Sequence, residues 1–195
     1  MAQATPRPGA ALDTADVDSE WDALATALNR WGVLHVAPGR VRRAGVPRTA
    51  GALFERLLNS PEPRRHQAAV LLLLTHPRLA AEAREVIDRL GGATRDQAMR
   101  RYVAAAAMQR MARTRIALSL GPQPLLPAAY VDELGLPPLE EEFGRVALLA
   151  LAAEEEARYG YDAWGTYRAL LDLFLSEIRR RGWGATCGNR PTERD

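Results

Sequence analysis

The 195-residue sequence contains no lysine, so all 26 of its Lys+Arg residues are arginine, as expected of a GC-rich bacterial genome. It has one cysteine, Cys187, which excludes an intrachain disulfide and any cysteine-rich zinc site. No stretch approaches 18 uninterrupted apolar residues, so no membrane span and no membrane partner are expected. Phosphate-cradling P-loop, dinucleotide-binding, nucleophile-elbow and kinase motifs are all absent. His35, His66 and His76 stand too far apart for a sequence-local metal site, and neither H-E-x-x-H nor E-x-x-H occurs. These absences leave no cofactor to expect and lean against an enzyme. The first residues lack the apolar core of a secretion signal and read as a tail, which predicts a cytoplasmic protein.

What is present is ordinary for a globular chain: 47% hydrophobic and 26% charged residues. The length fits one domain. The predicted organisation is a disordered tail over 1–17, one helical domain over 18–183 and a flexible tail over 184–195. Charge is uneven. Residues 1–29 carry a surplus of four carboxylates, residues 30–115 a surplus of eleven arginines, and residues 116–195 a surplus of five carboxylates. Either the acidic C-terminal helices fold onto the basic middle and neutralise it, or the middle presents a basic face to a polyanion.

The organising stretch is 94–120, read as one long central helix. Thr94 and Gln97 fit a capping box, and Gly121 followed by Pro122 and Pro124 is a stop. At 1.5 Å per residue it spans roughly 40 Å. Ala98, Tyr102, Ala105, Gln109, Ala112, Ile116 and Leu120 share one stripe, and Val103, Ala107, Met111 and Leu118 make a second apolar line. The small residues Ala104 to Ala107 let neighbours approach on several sides. Its arginines spread around the helix, so some must meet packed surfaces and require carboxylate partners.

Around this element the pattern predicts helices at about 18–30, with Trp21, Leu24, Ala25, Leu28 and Trp31 on one face, and at 49–59, capped by Thr49. Others follow at 64–75, at 77–90 with Pro77 in its first turn, briefly at 127–133, at 139–159 and at 162–181. Residues 33–43 read as a small β-hairpin or an ordered loop. Glu140–Glu142 and Glu154–Glu156 read as solvated carboxylates near helix ends. The fold class is therefore all-α, an irregular helical bundle or a HEAT-like array.

That last alternative comes from residues 60–92. A Pro-containing turn, Arg64 near a helix start, Ala68-Ala69, the Leu71–Leu74 run and a second antiparallel helix together resemble a HEAT-type repeat. The R-R-x-x-A-A pattern at Arg64 returns at Arg100, an offset of 36 residues. The resemblance covers about a sixth of the chain and implies stacked helices offering a surface to a protein or nucleic-acid partner. It implies no chemistry. Arg30 and His35 have the spacing of the Arg–His pair of helical higher-eukaryote-and-prokaryote nucleotide-binding ribonucleases, but Gly32 breaks the helix between them and Trp31 stands where a polar residue is usual.

Three functions follow as expectations. The first is a non-enzymatic helical adaptor or regulatory subunit binding a protein partner near the arginine-rich segment, with Arg40, Arg42, Arg43, Arg48, Arg64 and Arg65 as its surface. The second is an antitoxin-like nucleic-acid-binding regulator using the same residues, with 49–75 as a helix-turn-helix whose second helix is unusually apolar. The third is a small-molecule enzyme with a helical pocket marked by Tyr102 and Gln109, or by a buried Arg–Glu pair. Oligomeric state is left open. The N-terminus of the 94–120 helix, entered through Gly91-Gly92, reads as a capped turn rather than a phosphate site.

Overall fold

The chain is described by a computed structural model that places residues 14–33, 47–60 and 62–187, with side chains over 21–33, 47–60 and 62–180. Among these residues the fold is all-α, with eight helices and no strand. They are α1 (Thr14–Arg30), α2 (Ala50–Leu58), α3 (Pro63–Thr75), α4 (Ala80–Arg89), α5 (Gly92–Met111), α6 (Arg113–Leu120), α7 (Arg145–Tyr159) and α8 (Ala163–Cys187). No helix among the described residues is long and apolar enough to cross a membrane. The hairpin expected at 33–43 falls almost wholly outside them.

α5 is the axis. Every residue from Ala98 to Gln109 except the Arg100 and Arg101 pair is buried, because α5 packs against α3 and α7 and also touches α2 and α4. The alanine run makes this close multi-sided packing possible. α1 lies on α2, and α8 packs on both α6 and α7. The α2 start is fixed twice: Ala52 N–H donates to Thr49 Oγ1 at 3.2 Å, and Gly51 N–H to Glu82 Oε1 of α4 at 3.0 Å. His76 joins the end of α3 to α1 by bonding the Trp31 carbonyl and standing edge-on to the Trp31 ring.

The structure corrects several boundaries. The long helix begins at Gly92, not Thr94, and Thr94 makes no capping bond. Gln97, expected to complete the capping box, instead donates to His66 Nδ1 at 2.9 Å, since a tertiary partner is within reach. The helix also bends at Ala112 (φ −100°, ψ 4°), which sends α6 onto α8 while α5 stays with α3 and α7. Leu118, expected on the second apolar line, is consequently 83% exposed. The short helix at 127–133 is a turn opened by Tyr130 at φ 67° and closed by Leu136 N–H on the Val131 carbonyl.

A larger departure precedes α7. Glu140–Glu142 are not its first turn, because Glu142, Phe143 and Gly144 are left-handed at φ 43°, 57° and 86°. Left-handed conformations cost non-glycine residues about 1–2 kcal/mol each. They are held because Gly144 packs directly onto the Ala107 backbone of α5. α3 and α4 also pack more on α5 and α2 than on each other, unlike the paired helices of a HEAT-type repeat.

Candidate functional site

α5 and α7 run antiparallel, and their contact is laced by charge. Arg100 bonds Asp96 at 3.0 Å and Glu154 at 2.6 Å, and Arg158 reaches Asp96 at 3.2 Å. Together with Arg95–Glu133 and Arg101–Glu155, these pairs join the basic middle of the sequence to its acidic C-terminal part. Three arginines of the basic middle, Arg95, Arg100 and Arg101, thus find carboxylates in the acidic C-terminal part.

The innermost rung is different in kind. Glu155, expected in a solvated run, is 1% exposed, and the Arg101 side chain is 12% exposed. The spacing brings Glu155 inward because α8 covers that face of α7. Arg101 Nη1 donates to both Glu155 oxygens, at 3.0 and 3.1 Å, and to the Tyr167 hydroxyl at 2.7 Å. Tyr167 in turn donates to Glu155 Oε1 at 2.9 Å, and Tyr161 donates to Oε2. A carboxylate offers about four lone-pair positions, so Glu155 is saturated. It orients Arg101 and two tyrosines and has no capacity left to act as a base.

The surroundings tune these groups. Burial works against the Arg101 charge, yet the neighbouring Tyr167 and Glu155 outweigh it and hold the guanidinium protonated more firmly than usual. Burial and the bond to Glu155 push the Tyr161 hydroxyl up to about 12. Burial pushes Tyr167 well above the ordinary phenol value. Both tyrosines are therefore neutral donors at physiological pH.

This cluster forms one end of a cavity of about 480 Å³ where α3, α5 and α8 meet the end of α7. α3 contributes Pro63, His66, Gln67 and Val70; α5 contributes Gln97 and Arg101; α8 contributes Thr166, Tyr167 and Leu170. Tyr159 and Tyr161, either side of the Gly160 turn, also line it and remain partly open to solvent. The walls are mainly apolar or aromatic, with a few convergent polar groups, the composition typical of small-molecule sites.

His66 lines the cavity but is not free to act in it. Its Nε2 lies 2.7 Å from the Ser60 carbonyl, which can only accept, so Nε2 carries the proton and Nδ1 accepts from Gln97. Burial first, and the nearby Arg101 second, lower its pKa from the ordinary 6.5 and keep it neutral. Among the described residues, no group of three His, Cys, Asp or Glu side chains could hold a metal.

The residues singled out from sequence fall elsewhere. Arg40, Arg42 and Arg43 lie outside the described residues. Arg48 and Arg64 are exposed, but Arg65 is 4% exposed, bonded to Glu62 at 3.0 Å and placed over the Trp21 ring, so it is not a surface residue. Tyr102 and Gln109 are buried outside the cavity. Gln109 donates to the Pro124 carbonyl at 2.9 Å and accepts from Leu126 N–H at 2.7 Å, clamping the 121–126 connector onto α5. Its polarity on an apolar stripe is thus explained by a loop, not a ligand. The expectation of a buried Arg–Glu pair is met by Arg101 and Glu155. The tyrosines around it carry one further signal in the sequence, their clustering at 159, 161 and 167.

A second depression of about 490 Å³ lies between α6 and α8, lined by Arg115, Leu118, Ser119, Leu175 and Arg179. Most of its lining is open to solvent and no interlocked polar cluster organises it. Comparison of the chain with protein-family models, with curated proteins and with solved structures finds no match.

Proposed function

We propose that this protein is a ligand-binding helical domain that takes a small, predominantly apolar organic molecule into the cavity between α3, α5 and α8. The observation that carries this reading is the preorganised cluster of Arg101, Glu155, Tyr161 and Tyr167 at the end of an otherwise apolar cavity of about 480 Å³. Holding a buried ion pair is expensive unless every bond is made, and here the cluster fixes the shape of one wall. The geometry favours binding over catalysis, because Glu155 is saturated and both nitrogens of His66 are engaged. The adaptor expectation rests, among the described residues, on Arg48 and Arg64 alone.

A screen of small aromatic compounds by thermal unfolding tests the proposal. A compound present at 100 times its Kd stabilises the fold by about 2.7 kcal/mol. Gln67→Trp, which fills the cavity from the half-buried side of α3, should abolish the shift while leaving the apo protein folded. Hits that survive this substitution unchanged bind elsewhere, and the proposal fails.

A further inference from the structure

Among the described residues the two most exposed large hydrophobic side chains are Leu118, at 83%, and Phe143, at 76%. A single exposed apolar residue is ordinary on a protein surface. These two differ in the charge that surrounds them, and in opposite senses.

Leu118 lines the depression of about 490 Å³ between α6 and α8, together with Leu175, Ser119, Arg115 and Arg179. α6 carries two arginines and no carboxylate. Among the described residues no carboxylate pairs with Arg115 or Arg179; Arg179 Nε donates to the Leu175 carbonyl at 3.3 Å instead. On α8, Asp172 and Glu177 stand outside the lining, and Glu177 is bonded to Arg180 at 3.1 Å. The depression is therefore apolar and basic.

Phe143 is its converse. It follows Glu140, Glu141 and Glu142, all exposed, and among the described residues only Glu142 of the three forms an ion pair, with the exposed Arg145 at 3.2 Å. The backbone is left-handed at Glu142 and Phe143, φ 43° and 57°, a conformation that bulky side chains seldom adopt. Gly144, seated on the Ala107 backbone, holds it there. Such strain persists only where the surroundings enforce it, and it collects at binding sites. Because Ala107 is near the end of α5 from which α6 continues, this acidic aromatic knob and the basic depression belong to the same end of the molecule. Phe143 does not line the depression of its own chain.

We propose that the occupant of the α6–α8 depression is a second copy of this chain, whose Phe143 enters beside Leu118 and Leu175 while its Glu140, Glu141 and Glu142 meet Arg115 and Arg179. The ring supplies the buried anchor, and the opposite charges set the orientation. Since knob and depression share one end, two copies can exchange them reciprocally, which closes the contact as a two-fold dimer. This inference is separate from the ligand reading of the α3–α5–α8 cavity, and neither falls with the other.

Sedimentation of the full chain over a concentration series tests it. The native chain should form dimers, and added salt should weaken them. Phe143→Asn removes the knob but suits a left-handed backbone, and Leu118→Asp fouls the depression; both positions are exposed, so urea midpoints should stay near native. Each variant alone should dimerise about 10-fold or more weakly. An equimolar mixture of the two should regain a heterodimer, because one copy still offers an intact depression and the other an intact knob. A native chain that is monomeric up to about 1 mM, the weak end of the affinity scale, overturns the inference and leaves the depression to an acidic segment of another protein. Dimers unchanged by Phe143→Asn place the interface elsewhere. Dimers lost in both variants and not regained in the mixture overturn the pairing of knob with depression.

Discussion

Arg101 and Glu155 meet across α5 and α7 with a single guanidinium nitrogen spanning both carboxylate oxygens, at 3.0 and 3.1 Å, on the least exposed ion pair described in the fold. Glu155 is 1% exposed and the Arg101 side chain 12%, under the cover of α8. Replacing one partner therefore leaves the other charged, buried and alone. Glu155→Leu is expected to cost about 3–5 kcal/mol in urea unfolding. Adding Arg101→Met should recover a large part of that loss, because the penalty comes from the abandoned charge and not from the missing attraction. A single-variant loss below about 1 kcal/mol would show that water already compensates the pair.

Gly144 presents a purely steric case. A Cβ built on it lies 2.9 Å from the Ala107 Cα and 3.0 Å from the Ala107 carbonyl oxygen, both backbone atoms of the central helix, and its φ is 86°. Gly144→Ala must pay about 1–2 kcal/mol for the left-handed backbone and about 1–3 kcal/mol more for overpacking. Gly135, at φ 64° with open space around it, should show only the first of these on substitution by alanine. Urea midpoints of the two variants measure the difference, and equal losses would mean that the α5–α7 contact yields easily.

How much of this was legible depended on whether a signal was local. The amphipathic stripes placed most of the helices and the buried character of α5, because burial periodicity follows from helix geometry alone. Thr49 caps as its position suggests, since its donor is three residues away. Gln97 and Gln109 illustrate the opposite case. Each amide has a partner 31 or 15–17 residues distant, and no local pattern distinguishes a capping glutamine from one that reaches another helix. The left-handed turn at Glu142–Gly144 was hidden because its glutamates and Phe143 suit a helix start, and only the tertiary contact at Ala107 forces them out of it. The candidate site was half legible. That some α5 arginine must find a buried carboxylate followed from the distribution of charge around the helix, whereas the identity of Glu155 and the tyrosine cage required the crossing of α7 and α8.

The Tyr102 hydroxyl is buried without a hydrogen-bond partner, and burial raises its pKa to about 12. Its ring stands edge-on to Tyr130 at 5.5 Å, a contact that phenylalanine would preserve. Tyr102→Phe should therefore be neutral or stabilising by up to about 1 kcal/mol, since it removes an unsatisfied polar group and keeps the packing. Tyr130→Phe provides the contrast, because the Tyr130 hydroxyl donates to Asp88 Oδ1 at 2.9 Å and should be missed. Chemical denaturation of both variants distinguishes them; a destabilised Tyr102→Phe would reveal a partner for its hydroxyl.

His66 gives the fold a defined response to acid. Its folded pKa is lowered from 6.5, by burial and then by Arg101, so the unfolded chain takes up a proton before the folded one does. Stability then rises with pH wherever the unfolded state holds more protons. The contribution is complete above about pH 6.5 and is lost as pH falls from there through the folded value. Unfolding free energies measured between about pH 5 and 7 should accordingly decline on the acidic side, ahead of the range where carboxylates titrate. His66→Gln keeps one donor for the Ser60 carbonyl and one acceptor for Gln97 but cannot be protonated, and it should flatten that decline. The cavity gives a second readout: protonation of His66 removes the acceptor that holds Gln97, so binding of a cavity ligand should weaken over the same interval in the native chain and not in the variant. A native profile that is flat from pH 7 to 5 would mean that His66 keeps an ordinary affinity for its proton.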